Sequence, residues 1–505
     1  MSLGVIFLGE LRRMFLSKLI ESLDNARQIG PGDPDIGSIA YDSRRVSLGA
    51  LFVCIKGDKF DGHEFVDGAV QNGACALVVD DPNRIPTSIG VPTIVVRNAR
   101  HALPVLANRF FDYPSRHLNL VGVTGTKGKT TTTYLIGGAL RKSGLATGVV
   151  GTLGARIREE SVPLDRTTPE SVDLQELFAR MVSEGVSAAA MEVSSHALAM
   201  RRTEGCEYDV GVFTNLTHDH LDFHGTLDNY LETKCMLFDE YPRASSKHFT
   251  AVINADDPRS ERVRHATRGD VLTYSIKSQA DIIAGNISAG VNGVSFDVSS
   301  PVGEFHVDLP LGGMFNVYNS LAATGAVLVF GLKPEQIKAG LESVRAVDGR
   351  FESVDCGQDF AVIVDYAHSP DSLENVLRSA RELTKNRLIV VFGCGGDRDR
   401  AKRPVMGKIG AELADVCVIT SDNPRSEDPE AIIKEILTGT NGGRTDIHAV
   451  VDRADGIKYA LDMAREGDLV VIAGKGHETY QIFRDRTIHF DDREVVRAIL
   501  SGKNG

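Results

Sequence analysis

The sequence predicts an α/β fold divided into three domains, and three observations point there. At 505 residues the chain is too long for one hydrophobic core, because single cores stop growing beyond roughly 250–300 residues. Short apolar runs alternate with helix-like stretches along most of its length, the pattern of βαβ units and parallel sheet. The texture also changes twice, which predicts a smaller α/β domain over 1–113, a central domain over 114–347 and a C-terminal domain over 348–505.

In the first region, strand-like runs at 51–55, 76–79 and 93–96 alternate with helical stretches, and 111–115 reads as a linker. The second opens with a buried strand, 118–123, that runs into a Gly-rich loop and a helix. Further strands are expected at 188–193, 210–215 and 251–254, and 280–309 reads as hairpin, with turns at Asn292-Gly293 and 301–303. In the third region, apolar runs at 388–392, 416–419 and 469–472 alternate with helices, as in a Rossmann-like doubly wound sheet.

Composition narrows the function classes. With 42% hydrophobic and 25% charged residues the chain resembles an ordinary soluble protein. A formal charge of −12 argues against general affinity for nucleic acid or anionic membrane. It leaves room for an anionic small substrate held by a local cluster of Arg and Lys. The seven Cys form no C-x-x-C pair, so reduced thiols are expected rather than a zinc site or disulfide framework. No apolar run is long enough to span a bilayer. The mildly apolar start precedes Arg12 and Arg13, the wrong order for a signal peptide. A cytoplasmic protein without membrane insertion is the expectation.

The strongest local signal is V-G-V-T-G-T-K-G-K-T-T, residues 121–131. Gly125 and Gly128 let backbone N–H groups turn inward around phosphate oxygens, Lys129 adds positive charge, and the Thr130 hydroxyl suits Mg²⁺. Val123 stands where strict P-loop spacing has Gly, but the preceding strand and following helix supply the right context for a P-loop-type central domain. Thr126, Lys127 and Thr131 complete the nucleotide loop. Glu192 ends an apolar run, and a carboxylate there costs desolvation unless a cation meets it. In a phosphate-loop domain that cation is Mg²⁺, whereas alone Glu192 reads equally well as an ion-paired core residue. His218, His220 and His224 cluster after another strand. Zinc ranks low because no helical H-x-x-x-H and no Cys joins them.

Three polar clusters follow strands of the third region: G-C-G-G-D-R (393–398), S-D-N-P-R (421–425) and G-K-G-H-E (474–478). Ligands of open parallel sheets bind at the carboxyl ends of strands, so these should line one crevice. Arg398 and Arg425 suit a carboxylate and Glu478 an ammonium. A substrate bearing both groups at each end, such as meso-diaminopimelate, fits those charges.

The combination T-G-T-K-G-K-T, M-E-V-S-S-H, F-T-N-L-x-x-D-H-L-D and Y-L-E-T-K-C-M-L-F (230–238) resembles the Mur ligases of peptidoglycan synthesis, with motifs in family order from about residue 35. The resemblance implies that CO₂ carbamylates Lys234, that Thr130 and Glu192 hold one Mg²⁺, and that Glu192, His220 and Lys234 surround a second. It sets Asn215 near the γ-phosphate of ATP, Asn316 of G-M-F-N-V-Y-N at adenine, Arg350 of D-G-R-F-E at phosphate and Asp365 of V-D-Y-A-H-S-P at ribose. Ser43, Asp58, Lys59 and Phe60 would meet a UDP group, and Thr167, Thr168, Ser194 and Arg202 a muramoyl-peptide. At Arg166 and Met200 relatives carry amide side chains, so contacts there are not carried over.

Asp422, Asn423, Pro424 and Arg425, with Arg398, Gly474 and Glu478, match the pocket of the family member that adds meso-diaminopimelate. The implied reaction is ATP-dependent ligation of that diamino acid to UDP-N-acetylmuramoyl-L-alanyl-D-glutamate through an acyl phosphate, with Lys129, Glu192, His220 and Lys234 catalytic and a monomer as the working unit. Two other readings are weighed beside it: a folylpolyglutamate synthase, and a binding protein switched by nucleotide.

Overall fold

The computed structural model describes residues 12–57, 60–440 and 445–503. The irregular first ten residues, and Asp58 and Lys59 of the expected UDP-contacting loop, lie outside the described residues.

Three sheets organise the chain. The first has the spatial order Arg27–Ile29, Thr93–Val95, Ala74–Val79, Ala50–Val53, Ser38–Ala40, parallel except at the Arg27–Ile29 edge. The helix Ala99–Phe110 starts where the Asn98 side chain accepts from the His101 N–H, and it buries Leu103, Leu106 and Phe110. Helical spacing thus supplies one apolar face to the sheet. The segment read as a linker is packed: Pro114 and Ser115 are buried, and the Arg116 guanidinium lies over the Tyr113 ring.

The central sheet has eleven strands. Parallel pairing runs from Thr147–Gly151 through Ala188–Glu192, Asn119–Thr124, Val210–Phe213, Thr250–Asn254 and Asp270–Ser275 to Ile282–Ala289. The innermost of these, Ala188–Glu192, Asn119–Thr124 and Val210–Phe213, are almost wholly buried because helices cover both faces. Lys129–Lys142, Phe315–Leu328 and Pro334–Glu342 bury one face; Ser171–Ser183 and Leu227–Cys235 help bury the other. The chain leaves Asn119–Thr124 toward Thr147–Gly151 on one side and leaves its neighbour Val210–Phe213 toward Thr250–Asn254 on the other. Open α/β sheets form their ligand crevice at such a point. The expected hairpin at 280–309 is a three-strand meander, Ile282–Ala289, Val294–Ser300 and Gly303–Leu309, extending this sheet antiparallel. A hairpin at the opposite edge, Gly154–Ile157 with Glu160–Val162, was not anticipated, being too short to show a period.

The third sheet runs Glu352–Ser353, Ala361–Asp365, Leu469–Ala473, Leu388–Phe392, Val416–Ile419, Asp446–Ala449, all parallel after its first strand. The helices Pro370–Leu383, Lys402–Leu413 and Pro429–Leu437 cover one face, and Arg453–Met463 and Asp492–Lys503 cover the other. Two-sided covering makes the sheet doubly wound. Ser369 before Pro370 and Asp428 before Pro429 cap their helices through side-chain acceptors, the expected use of a polar N-cap followed by Pro.

Candidate active site

The Gly-rich loop sits at the carboxyl end of Asn119–Thr124 and opens the helix Lys129–Lys142. Gly125 has φ +145° and Gly128 φ +85°, and a Cβ on Gly128 would stand 2.4 Å from Asn319 Oδ1. Both conformations favour glycine. The next strand end braces the loop: Thr126 N–H donates to the Asn215 carbonyl (2.8 Å), Lys127 N–H to Asn215 Oδ1 (2.9 Å) and the Thr214 hydroxyl to the Lys127 carbonyl (2.7 Å). Lys129 Nζ folds over the loop, donating to the carbonyls of Gly125 (3.0 Å) and Thr126 (2.9 Å). Burial pushes its ammonium down to about 8, with Lys127 and Arg350 acting the same way and Glu192 opposing. We expect Gly128→Ala to weaken nucleotide binding at least tenfold, read by calorimetric titration with ADP; unchanged affinity would mean that the loop does not cradle phosphate.

Lys127 departs from the expectation. Its Nζ donates to Asp219 Oδ2 (3.3 Å) and to Ser372 Oγ (3.0 Å) of the helix Pro370–Leu383. Its charge is shared with an acid and with the third sheet's domain rather than directed at the loop's interior.

Glu192 is 1% exposed and accepts from Thr152 N–H (2.8 Å) and the Thr152 hydroxyl (3.2 Å). Among the described residues no cationic side chain lies within ion-pair distance of it, so the core-ion-pair reading of Glu192 does not hold. A buried carboxylate without a cation beside a Thr hydroxyl is a donor set suited to a hard divalent ion. Lys234, also 1% exposed, projects from Leu227–Cys235 to donate to the Gly125 carbonyl (2.8 Å), and its Nζ stands 4.4 Å from the centre of the Tyr230 ring. Burial, reinforced by the Lys129 charge, holds its ammonium well below the ordinary lysine range. Two lysines therefore converge on one carbonyl, which their mutual repulsion tolerates best when one is a neutral amine. His220 has a left-handed backbone (φ +53°), and its ring stands 4.8 Å from that of His196. Burial lowers its pKa, against the pull of Asp219. His224 turns elsewhere, to the Ser195 hydroxyl (3.0 Å).

Asn316 is buried and internally bonded: Nδ2 donates to the Gly312 carbonyl (2.7 Å) and Oδ1 accepts from Asn319 (2.8 Å). Asn319 in turn accepts from the Thr132 hydroxyl (3.3 Å), which ties this corner to the phosphate-loop helix. Asp365 Oδ2 accepts from the Phe351 N–H (2.7 Å). Burial raises its pKa, against the nearby Arg350 charge. The Arg350 Nε is buried without a hydrogen-bond partner. An orphaned guanidinium nitrogen whose charge is felt at Lys129 fits an incoming anion.

The three polar clusters of the third domain do converge. A Cβ on Gly395 would meet Arg425 Nη1 at 2.8 Å, Arg398 Cγ at 3.7 Å and Asp422 Oδ1 at 3.8 Å, and one on Gly474 would meet Asp422 Oδ2 at 2.9 Å. Arg425 has φ +52° and donates through Nη1 to the Gly396 carbonyl (2.8 Å). Arg398 has no ion-pair partner among the described residues. Pro424 packs against Gly396, whose N–H donates to the Asn423 carbonyl (2.9 Å). Glu478 is not free, as its sequence context suggested: its Oε2 accepts from the fully buried Lys475 (2.9 Å) and from Asn423 Nδ2 (2.9 Å). Sequence reasoning missed Lys475, although it lies inside the G-K-G-H-E cluster. It also missed Arg403, which is fully buried against Glu427 and Glu435 and donates to the Gly395 carbonyl.

Thr168 donates to the Glu192 carbonyl (2.8 Å) and to Ser194 Oγ (3.3 Å), and Thr167 Oγ1 is 3.1 Å from that of Thr152, so these residues border the carboxylate site. Arg202 reaches the buried Glu170 (2.5 Å), which Arg100 of the first domain also meets and Arg166 approaches at 3.7 Å. This junction of three guanidiniums on one acid was not read from sequence, since two of them, Arg100 and Arg202, are 70 and 32 residues from Glu170 in opposite directions. Ser43 opens a short 3₁₀ turn capped by Asp42. Phe60 is largely exposed, its ring 6.2 Å from that of Phe65.

Known proteins resemble this chain in sequence and fold. Residues 35–111 match the Mur ligase family, catalytic domain; 123–327 the Mur ligase middle domain; and 349–476 the Mur ligase, glutamate ligase domain. A UDP-N-acetylmuramoyl-L-alanyl-D-glutamate–2,6-diaminopimelate ligase of Geobacillus thermodenitrificans (strain NG80-2) is 49% identical over 473 residues, covering 93% of this chain and 96% of its own. The protein of that name from Bacillus licheniformis is 48% identical over 495 residues, covering 97% of this chain and 100% of its own. A solved structure with the same name superposes with a TM-score of 0.67 at 32% identity, covering 93% of this chain and 96% of that one. With an ATP-type phosphate loop, a strand-end glutamate and three matching segments in order, the chain belongs to the Mur ligase family.

Proposed function

We propose that this chain is an ATP-dependent amide ligase of peptidoglycan synthesis. It joins meso-diaminopimelate to the D-Glu γ-carboxylate of UDP-N-acetylmuramoyl-L-alanyl-D-glutamate, acting in the cytoplasm as a monomer. The observation that carries the reading is the pairing of two crevices, a phosphate loop with Glu192 and Lys234 and a D-N-P-R loop gathered with Arg398, bridged by Lys127 and Ser372. The names of relatives 48–49% identical to the chain point the same way. We assign UDP-substrate binding to residues 1–113, ATP to 114–347 and the amino acid to 348–505.

In the first step a D-Glu carboxylate oxygen attacks the γ-phosphorus of ATP, the bond to ADP breaks and an acyl phosphate remains. The neutral amine of the diamino acid then attacks the acyl carbon, loses its proton and expels inorganic phosphate. Lys129 and the helix N-terminus beneath the loop stabilise the phosphate charge. Arg350 adds its unpartnered nitrogen from the third domain, while Asn215 orders the loop and Asn316 and Asp365 face adenine and ribose. Thr130 and Glu192 would hold one Mg²⁺, and Glu192, His220 and Lys234 a second. When bound, the ions neutralise charge between two anionic reactants. The depressed ammonium of Lys234 favours the neutral amine that adds CO₂, giving a carbamate whose oxygens suit a hard cation. Arg398 and Arg425 receive a carboxylate of the amino acid, and Lys475 and Asn423 aim Glu478 at its distal ammonium.

A phosphate-release assay across a panel of amino acids tests this. Release is expected only when meso-diaminopimelate and the UDP-muramoyl dipeptide are both present. Release without any amino acid would favour a nucleotide-switched binding protein, and release with glutamate and a folate would favour a folylpolyglutamate synthase.

A further inference from the structure

Behind the phosphate loop, the far end of the helix Lys129–Lys142, the strand Thr147–Gly151 and the adjoining hairpin border a half-open cavity of about 310 Å³. The helix carries Arg141 ~18 Å from Lys129 at its regular rise per residue, so the cavity is separate from the nucleotide crevice. Three arginines, Arg141, Arg156 and Arg158, are among its lining residues, with one acid, Glu159. The lining thus carries a formal charge of +2, three Arg less one Glu, in a chain whose net charge is −12.

Local pairing leaves most of that charge unspent. Glu159 bonds Arg156 at 2.7 Å but stands 3.8 Å from Arg141 and is itself 76% exposed. Arg156 Nε and Arg158 Nη1 donate only to carbonyls, those of Arg158 (3.2 Å) and Glu184 (3.1 Å). The carboxyl end of a helix ordinarily repels anions. Here its last carbonyls are occupied by the N–H groups of Ser143, Gly144 and Leu145, which blunts that effect. Leu145 and Val149 give the cavity an apolar wall.

We propose that this cavity is a second anion site, taking a compact organic molecule whose phosphate or carboxylate group is gripped by the Arg141, Arg156 and Arg158 guanidiniums. Planar guanidiniums bind either oxyanion in two-pronged fashion, and the volume matches the lower range of small-molecule pockets. The site is independent of the reaction assigned to the crevice.

Calorimetric titration of the full chain, saturated with ADP, distinguishes the two chemistries: glycerol 3-phosphate probes the phosphate arm and citrate the carboxylate arm. At least one is expected to bind with a sub-millimolar Kd that rises tenfold or more in Arg156→Gln/Arg158→Gln, while ligase turnover stays within twofold. Glu159→Gln, which removes the competing carboxylate, is expected to tighten binding and reports on the site even if the double variant fails to fold. Absence of binding by both probes overturns the proposal, as does binding that neither variant alters.

Discussion

Lys234→Ala is expected to lower kcat by about 10³-fold or more, an effect of the size seen when one electrostatic stabiliser of a developing charge is removed. Lys234 is buried and donates to the Gly125 carbonyl, with no carboxylate at ion-pair distance among the described residues. A lysine placed there for stability alone would be a poor choice, because burial disfavours its charged form. As a carbamate it would become an anion against the phosphate loop. Short carboxylic acids such as acetate should then restore part of the lost rate in Lys234→Ala by occupying the vacated space. Lys234→Arg, which keeps a cation but cannot add CO₂, should stay inactive and resist rescue. Full activity in either variant, with an unchanged melting temperature, removes the proposed role of Lys234 in holding metal.

The second large effect is expected at Arg425. Truncation to Ala should raise the KM for meso-diaminopimelate by about 10- to 100-fold, the worth of a charge-assisted bond to a carboxylate at ~1.5–3 kcal/mol, and leave the KM for ATP within twofold. Arg425 lies with Arg398 and Asp422 around Gly395. Arg425→Lys should fall between, since it keeps the charge and loses the two-pronged geometry. Equal changes in both constants would place Arg425 outside the amino-acid pocket.

Much of this was legible in the chain itself. The buried strands at 118–123, 188–193 and 388–392 are mainly apolar runs, as central parallel strands tend to be. The phosphate loop is legible because its glycines, lysine and threonine work through contiguous backbone, so spacing, together with the strand before it and the helix after it, reports the chemistry. The three clusters after third-domain strands were readable for a related reason: parallel strands deliver their carboxyl ends to one edge. Short edge elements escaped, as at Gly154–Ile157 and Glu160–Val162, because three or four residues carry no measurable period.

Sequence by itself determined the α/β class, the nucleotide loop and which segments meet at strand ends, because those depend on local periodicity and backbone spacing. Tertiary structure alone decided who pairs with whom. It turned Lys127 toward Asp219 and Ser372, gave Glu478 to Lys475, set Arg100, Arg166 and Arg202 around Glu170, and buried Lys234 against the Gly125 carbonyl. The physical reason is that a charge's partner and its ionisation are set by burial and by groups brought close from distant parts of the chain, and no local pattern of residues encodes either.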